Sequence, residues 1–186
     1  MFEPMLKGGT SVLDAQGIVS KLSIHEGWTV ADLGCGGSGL FIAPLARAVG
    51  KNGRVFAVDI QKNVLQVVES NMKFQNIDNV TLVWSDLEKV GKADISDASC
   101  DFAMLINVLF QNTNHESILK ESARILKSGA SFIVIDWKMI ATPFGPPLTH
   151  RVSQDTVMTL AIPLGLQFVN GFEAGPYHYA LIFKKV

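Results

Sequence analysis

The chain reads as an α/β protein, a doubly wound, mostly parallel seven-stranded sheet with a terminal antiparallel hairpin. Three observations predict it. Five strand-like segments between Trp28 and Asp136 are interleaved with three helix-like ones and a polar stretch over 87–100, and right-handed crossovers turn such alternation into a parallel sheet covered on both faces. Asp59, Asp86, Asn107 and Asp136 all fall at the C-terminal ends of predicted strands, where doubly wound sheets bind ligands. Any one of them reads equally well as a turn cap, but four in register favour a shared crevice. The last third abandons the alternation for two β-rich runs around a Gly/Pro turn, an antiparallel pair that ends the sheet.

Residues 1–13, with Pro4, Gly8 and Gly9 and no clear period, are expected to form a loose arm or lid. Asp14 can cap a helix to about Leu22, in which Ala15, Ile18, Val19 and Leu22 recur at helical spacing. Gly27 opens a strand, Trp28–Leu33, that runs into Gly34-Cys-Gly-Gly-Ser-Gly39. Four glycines in these six positions cost any helix or strand, so they serve a tight turn that a ligand approaches closely. The helix after it, Leu40–Val49, points its free N–H groups and positive dipole end at the turn, which suits an anionic or strongly polar ligand. Arg54–Asp59 is a strand buried on both faces, Asn63–Gln75 a helix and Val80–Trp84 a strand leading to Ser85-Asp86. Asp101–Asn107 is the fourth strand. Glu116–Leu126 is a helix that Lys127-Ser-Gly129 closes with a basic turn and a capping glycine, before the strand Ser131–Asp136. Residues 138–152, with Pro143, Pro146 and Pro147, form a loop on the crevice side. Ser153 caps a short helix to about Leu164, and Gly165–Asn170 and Tyr179–Phe183 are the final strands.

With 186 residues, 48% of them hydrophobic, residues 1–186 are expected to form a single domain. A net charge of −1 and no Lys or Arg run longer than two residues give no footprint for nucleic acid, which is disfavoured as a partner. Cys35 and Cys100 suggest no disulfide framework, no metal site is indicated, and a cytoplasmic home fits. No uncharged run reaches the roughly 20 apolar residues of a membrane span.

Gly34-Cys-Gly36-Gly-Ser-Gly39 is literally a G-x-G-x-x-G string with Asp59 twenty residues beyond its last glycine, the spacing of a nicotinamide dinucleotide site. Three features count against an NAD-dependent oxidoreductase. Asp32 stands two residues before the first glycine, where an acid can hold an ammonium group. Asp86 follows the third strand, where it could meet an adenine amino group. The chain also has no room for a separate substrate domain.

At these residues the chain resembles the class I S-adenosylmethionine-dependent methyltransferases. The resemblance runs from about Trp28 to Val186. Ala31-Asp-Leu-Gly-Cys-Gly36 is similar to the family's D-x-G-x-G-x-G loop, Val58-Asp-Ile60 to the acidic end of strand two and Ser85-Asp-Leu87 to the adenine-side motif. Asp101–Asn107 and Ile125–Ile135 resemble the fourth- and fifth-strand motifs, and the terminal hairpin fits the reversed last strand of that Rossmann-like fold. The loop is one residue longer than the family's commonest form, which leaves open which glycine of Gly36–Gly39 opens the helix. The resemblance implies S-adenosyl-L-methionine as cofactor. Asp32 and the Gly34, Cys35 and Gly36 backbone would hold its methionine part, and Asp59 its ribose hydroxyls. Ile60, Asp86 and Leu87 would meet the adenine, and Asn107 would lie by the methionine or the transferring methyl.

Such a reaction is an in-line displacement in which placement of the nucleophile does most of the work, and a base is required only if that nucleophile carries a proton. Substrate-side candidates are Asn107, Phe110, Asp136, His150, Trp137 and Phe144. His115 and His178 are weaker, and His25 lies before the first strand, away from the crevice. Within the family the chain looks most like compact quinone-biosynthesis methyltransferases, which implies a small, partly apolar acceptor. An arsenite-type activity is disfavoured because neither cysteine has a thiol partner nearby in sequence. A catalytically silent cofactor-binding or scaffold protein is the alternative from another class.

Overall fold

A computed structural model describes residues 13–186. The expected arm therefore lies outside the described residues, apart from Leu13, which is buried. Seven strands form one sheet in the order β3-β2-β1-β4-β5-β7-β6. The strands β1 (Thr29–Leu33), β2 (Arg54–Asp59), β3 (Val80–Trp84), β4 (Cys100–Ile106) and β5 (Leu126–Trp137) are mutually parallel. β7 (His178–Lys185) runs antiparallel to both β5 and β6 (Leu166–Glu173), so the terminal hairpin closes one side of the sheet.

Two apolar layers flank this sheet because its inner strands alternate buried residues on both faces. On one face α1 (Ala15–Lys21), α2 (Ile42–Val49) and α3 (Lys62–Phe74) pack against Val30, Ala57, Met104, Ile133 and Ile135. On the other, α4 (His115–Ile125) and α5 (Gln154–Ala161) cover Ala31, Leu105, Phe132, Val134 and Phe183. The helical faces follow from spacing: Ile42, Leu45, Ala46 and Val49 in α2, and Val64, Leu65, Val68 and Met72 in α3, are all buried. Each fully buried Leu, Ile or Phe contributes about 1.5–3 kcal/mol. The expected caps at Asp14 and Ser153 are in place, each side-chain oxygen accepting from the backbone three residues on.

Several boundaries differ from the sequence reading. α2 begins at Ile42 rather than Leu40, since Gly39 (φ +57°) still belongs to the turn, where its carbonyl accepts from the Ile42 N–H at 3.0 Å. Phe41 is the N-cap, its carbonyl accepting the first helical bond from the Leu45 N–H at 3.0 Å, so none of Gly36–Gly39 caps the helix. Lys127-Ser-Gly129 does not cap α4, which ends at Ile125 with Leu126 already extended. Leu126 pairs with Cys100, and a register shift before Phe102 takes up the extra length, so β5 starts five residues early. The run Gly165–Asn170 extends to Glu173 across a similar irregularity between Phe168 and Asn170.

The glycine turn is fixed by sterics. Gly34 has φ +79°, and a Cβ there would lie 2.5 Å from Val108 Cγ2, whereas a Cβ on Gly37 would meet nothing within 4 Å. Gly34→Ala should lower stability by about 1–3 kcal/mol, the cost of backbone strain plus overpacking. Gly37→Ala should leave the melting temperature within about 2 °C of wild type. Thermal melts of both variants check this, and equal losses would show that the turn is held by something other than the Gly34–Val108 approach.

Candidate cofactor crevice

The crevice is built at the C-terminal edge of the parallel strands. Leaving β1, the chain crosses the end of β2, where the N–H groups of Gly34 and Cys35 both donate to the Val58 carbonyl at 2.8 and 2.9 Å. Asp59, the last residue of β2, ties the turn down: Oδ2 accepts from the Gly36 N–H at 3.1 Å and Oδ1 from the Gln61 N–H at 2.9 Å. Each carboxylate oxygen keeps a second lone pair for a ligand. A Cβ on Gly36 would meet nothing within 4 Å, so the turn has open space beside its backbone.

Asp32 sits beneath the turn, 2% exposed, with Oδ2 unpaired among the described residues. Burial, helped by the charge of Asp59, pushes its carboxyl up to about 7. The Cys35 thiol is buried, and that burial raises it far above the ordinary thiol range, so it is no thiolate at neutral pH. Ile60 stands 57% exposed at the rim, free to cover a flat ligand. Asp86 makes a turn, its Oδ1 accepting from the Glu88 N–H at 3.0 Å and its Oδ2 3.3 Å from Lys89 Nζ, and it stays partly accessible. Leu87 is buried in the core cluster beneath. Both polar atoms of the Asn107 side chain are buried without a partner among the described residues, and the residue holds φ +56°, a strained setting for a residue other than glycine.

On the substrate side the candidates separate. Asp136 is fully buried, its Oδ2 accepting from the Leu109 N–H at 3.1 Å and its Oδ1 from the Trp137 N–H at 2.8 Å. It anchors the short 3₁₀ turn Leu109–Gln111, which carries Phe110, and burial pushes its carboxyl up to about 7 despite those bonds. His150 is exposed in a second 3₁₀ turn, Leu148–His150, and His115 Nε2 lies 2.9 Å from the Asn112 carbonyl. His25 packs edge-on to Trp28 before β1, at the opposite edge.

Arg151 escaped the sequence reading. Buried at 8% exposure, it donates to the carbonyls of Pro146, Lys138 and Ile140 at 3.0, 2.8 and 2.7 Å and to Thr142 Oγ1 at 2.5 Å, gathering residues 138–151 around one guanidinium. A lone arginine closing a proline-rich loop was the available signal. Ser85 Oγ was also passed over as a site atom, and His178 was ranked among the weaker candidates; both are buried and unpaired among the described residues.

Seven buried side-chain polar atoms lack a partner among the described residues: Asp32 Oδ2, Ser85 Oγ, both Asn107 amide atoms, Trp137 Nε1 and both His178 ring nitrogens. All lie along the single edge formed by the ends of β1, β3, β4 and β5 and the start of β7. Buried polar groups are almost always paired, so a row of exceptions on one edge makes that edge the candidate ligand site.

A methyltransferase-domain family model matches residues 24–169. The chain belongs to that family. It is 28% identical over 118 residues to a demethylmenaquinone methyltransferase of Geobacillus sp. strain WCH70, covering 63% of this chain and 49% of that protein. It is also 29% identical over 126 residues to human arsenite methyltransferase, covering 64% and 33%. The chain thus spans about half the length of the first of these relatives. A SAM dependent methyltransferase from Aquifex aeolicus shares the fold at a TM-score of 0.85 and 24% identity, covering 94% of this chain and 91% of that one. The family's doubly wound sheet with a reversed last strand is the architecture observed here.

The Arg151 cluster yields a direct test. Arg151→Ala should speed amide exchange across 138–151 by at least about tenfold, less than the loss of a single hydrogen bond to a charged group would allow, while the sheet stays protected. Arg151→Lys should behave alike, because one ammonium cannot span four acceptors. Wild-type exchange in either variant would show that the prolines alone hold the loop.

Proposed function

We propose that this family member binds S-adenosyl-L-methionine along the C-terminal edge of its sheet and transfers the methyl group to a small, partly apolar acceptor. The row of buried, unpaired polar atoms on that one edge carries the reading. The residues fit the cofactor. Asp32 offers an unpaired carboxyl oxygen to an ammonium, the turn is open beside Gly36, Asp59 has spare acceptor capacity for ribose hydroxyls, and Ile60 is exposed to cover the adenine. Asp86, Leu87 and Asn107 complete the set assigned to the cofactor, and Gly34, Cys35 and Gly36 supply the backbone.

The cofactor, when bound, supplies an activated sulfonium methyl; the chain's task is to place it and the acceptor. Asn107 can both donate and accept, and at the end of β4 it stands between the turn and the acceptor side. Asp136 and Arg151 position the segments on either side of Trp137 without touching the reacting atoms. Trp137, Phe144 and Tyr177, edge to face at 6.1 and 4.9 Å, give the acceptor side an apolar wall.

Two competing chemistries fit less well. A dinucleotide would bring its pyrophosphate to a turn with two carboxyl groups beneath it, Asp32 and Asp59, and like charges repel. Arsenite calls for paired soft thiolates, yet Cys35 and Cys100 pack in the layers on opposite faces of the sheet, with the Cys100 thiol pushed up to about 11 by burial.

Two measurements test the proposal. Methyl-labelled cofactor incubated with the protein and metabolite extracts should label a small acceptor; binding without labelling would leave a silent cofactor-binding protein. Asp59→Ala should weaken S-adenosylhomocysteine binding by about two orders of magnitude, the loss of two hydrogen bonds to a charged acceptor, with Asp59→Asn in between. Wild-type affinity in a folded Asp59→Ala protein would contradict the assignment.

A further inference from the structure

We infer that Trp137 and His178 form the acceptor subsite of this crevice, a polar pair that takes a neutral or anionic oxygen-bearing acceptor and rejects an ammonium. The inference rests on the methyl-transfer reading above and names the acceptor chemistry of the same site.

Trp137 ends β5 and faces His178, which begins β7, in the antiparallel register, and their ring centroids lie 4.3 Å apart. Both side chains are fully buried, and none of their three ring nitrogens has a partner among the described residues. Leaving such groups unserved is costly, so the pair is not explained as packing. Its position explains it better. The Asn107 N–H donates to the Ile135 carbonyl, two residues before Trp137, so the pair continues the row of unpaired groups from the cofactor side. Nothing assigned to the cofactor uses it.

The chemistry of the pair selects its partner. An indole N–H only donates, so it requires a hydrogen-bond acceptor atom. The imidazole is held neutral, its pKa pushed down to about 4 by burial and by the charges of Arg151 and Lys138, so one of its nitrogens accepts while the other donates. Hydroxyl and enol oxygens satisfy both rings at once, and an ionised oxygen still meets two donors. An ammonium has only donors and leaves the indole unserved. Local charge points the same way. Arg151 lies 5.1 Å from the Trp137 ring centre, and its hydrogen bonds go to three carbonyls and a hydroxyl rather than to a carboxylate. Lys138 is ion-paired with Glu173, which leaves Arg151 the dominant cation near the pair. Buried Asp136 opposes it, but burial favours its uncharged form.

Phe144 and Gly145 close over this pair. A Cβ on Gly145 would lie 2.5 Å from Trp137 Cη2, so the loop rests directly on the indole. Entry of an acceptor therefore requires the 144–145 segment to lift, which breaks the bond that Thr142 Oγ1 donates to the Phe144 carbonyl and leaves the Arg151 bonds to Lys138, Ile140 and Pro146 in place.

The test uses nuclear magnetic resonance on the full chain saturated with S-adenosylhomocysteine. Three tryptophans give three indole N–H signals, and Trp137→Phe removes the one to follow. Should that variant not fold, Trp28→Phe and Trp84→Phe assign the signal by elimination. Phenol is expected to shift the Trp137 signal saturably, whereas benzylamine, a similar ring bearing an ammonium, should not move it. His178→Ala should weaken the phenol response about tenfold while the cofactor-induced shifts stay as in wild type. An indole signal unmoved by phenol, or moved equally by benzylamine, would overturn the inference. A protein in which S-adenosylhomocysteine itself shifts no signal would instead fail the cofactor reading.

Discussion

A carboxyl group buried at the end of an inner strand, with one oxygen unpaired and a second carboxylate close enough to repel it, is the constraint on which the crevice turns. Asp32 is that group and Asp59 its neighbour. Burial favours the protonated form, so the stability this arrangement allows is complete at low pH and is lost as pH rises from the ordinary carboxyl range through about 7. A cation brought to the unpaired oxygen reverses the preference. The site is thus tuned by electrostatics to want a positively charged group beside a turn whose other features suit polar hydroxyls, a combination that a zwitterionic nucleoside satisfies and a pyrophosphate does not.

The other half of the crevice is organised by Asp136 and Arg151, which do their work through neighbours. Asp136 spends its oxygens on the backbone at Leu109 and Trp137, linking the turn after β4 to the end of β5. Arg151 draws in four acceptors from 138–146 and lies over the indole that Asp136 helps to place. This half of the crevice is therefore a loop held by one cation above a residue whose backbone is pinned by one carboxyl.

Most of the architecture was legible because hydrophobic period and strand-end acids are local signals. The alternation that named five parallel strands and the hairpin needed no knowledge of distant contacts, and Asp32, Gly34, Asp59 and Asn107 lie together because the topology collects strand ends. The misplaced boundaries have the opposite origin. Lys127-Ser-Gly129 carries the local pattern of a helix cap, but pairing of Leu126 with Cys100 overrides it. Asp136 read as a substrate-side acid because its position is right; only the fold shows that its oxygens are spent on backbone. Arg151 was illegible and His178 ranked low for the same reason, since their places arise from the loop and the reversed strand, which bring residues distant in sequence against Trp137.

The most direct test of the central claim is calorimetric titration with S-adenosylhomocysteine and with NAD, repeated at pH 6.5 in two buffers of different ionisation enthalpy. The Asp32 carboxyl lies near 7 without a cation beside it and must ionise to hold an ammonium, so binding below that value expels a proton. The account predicts that S-adenosylhomocysteine binds with net proton release that disappears in Asp32→Asn, and that NAD gives no binding heat. Tight NAD binding without S-adenosylhomocysteine binding, or binding with no proton released, would contradict it.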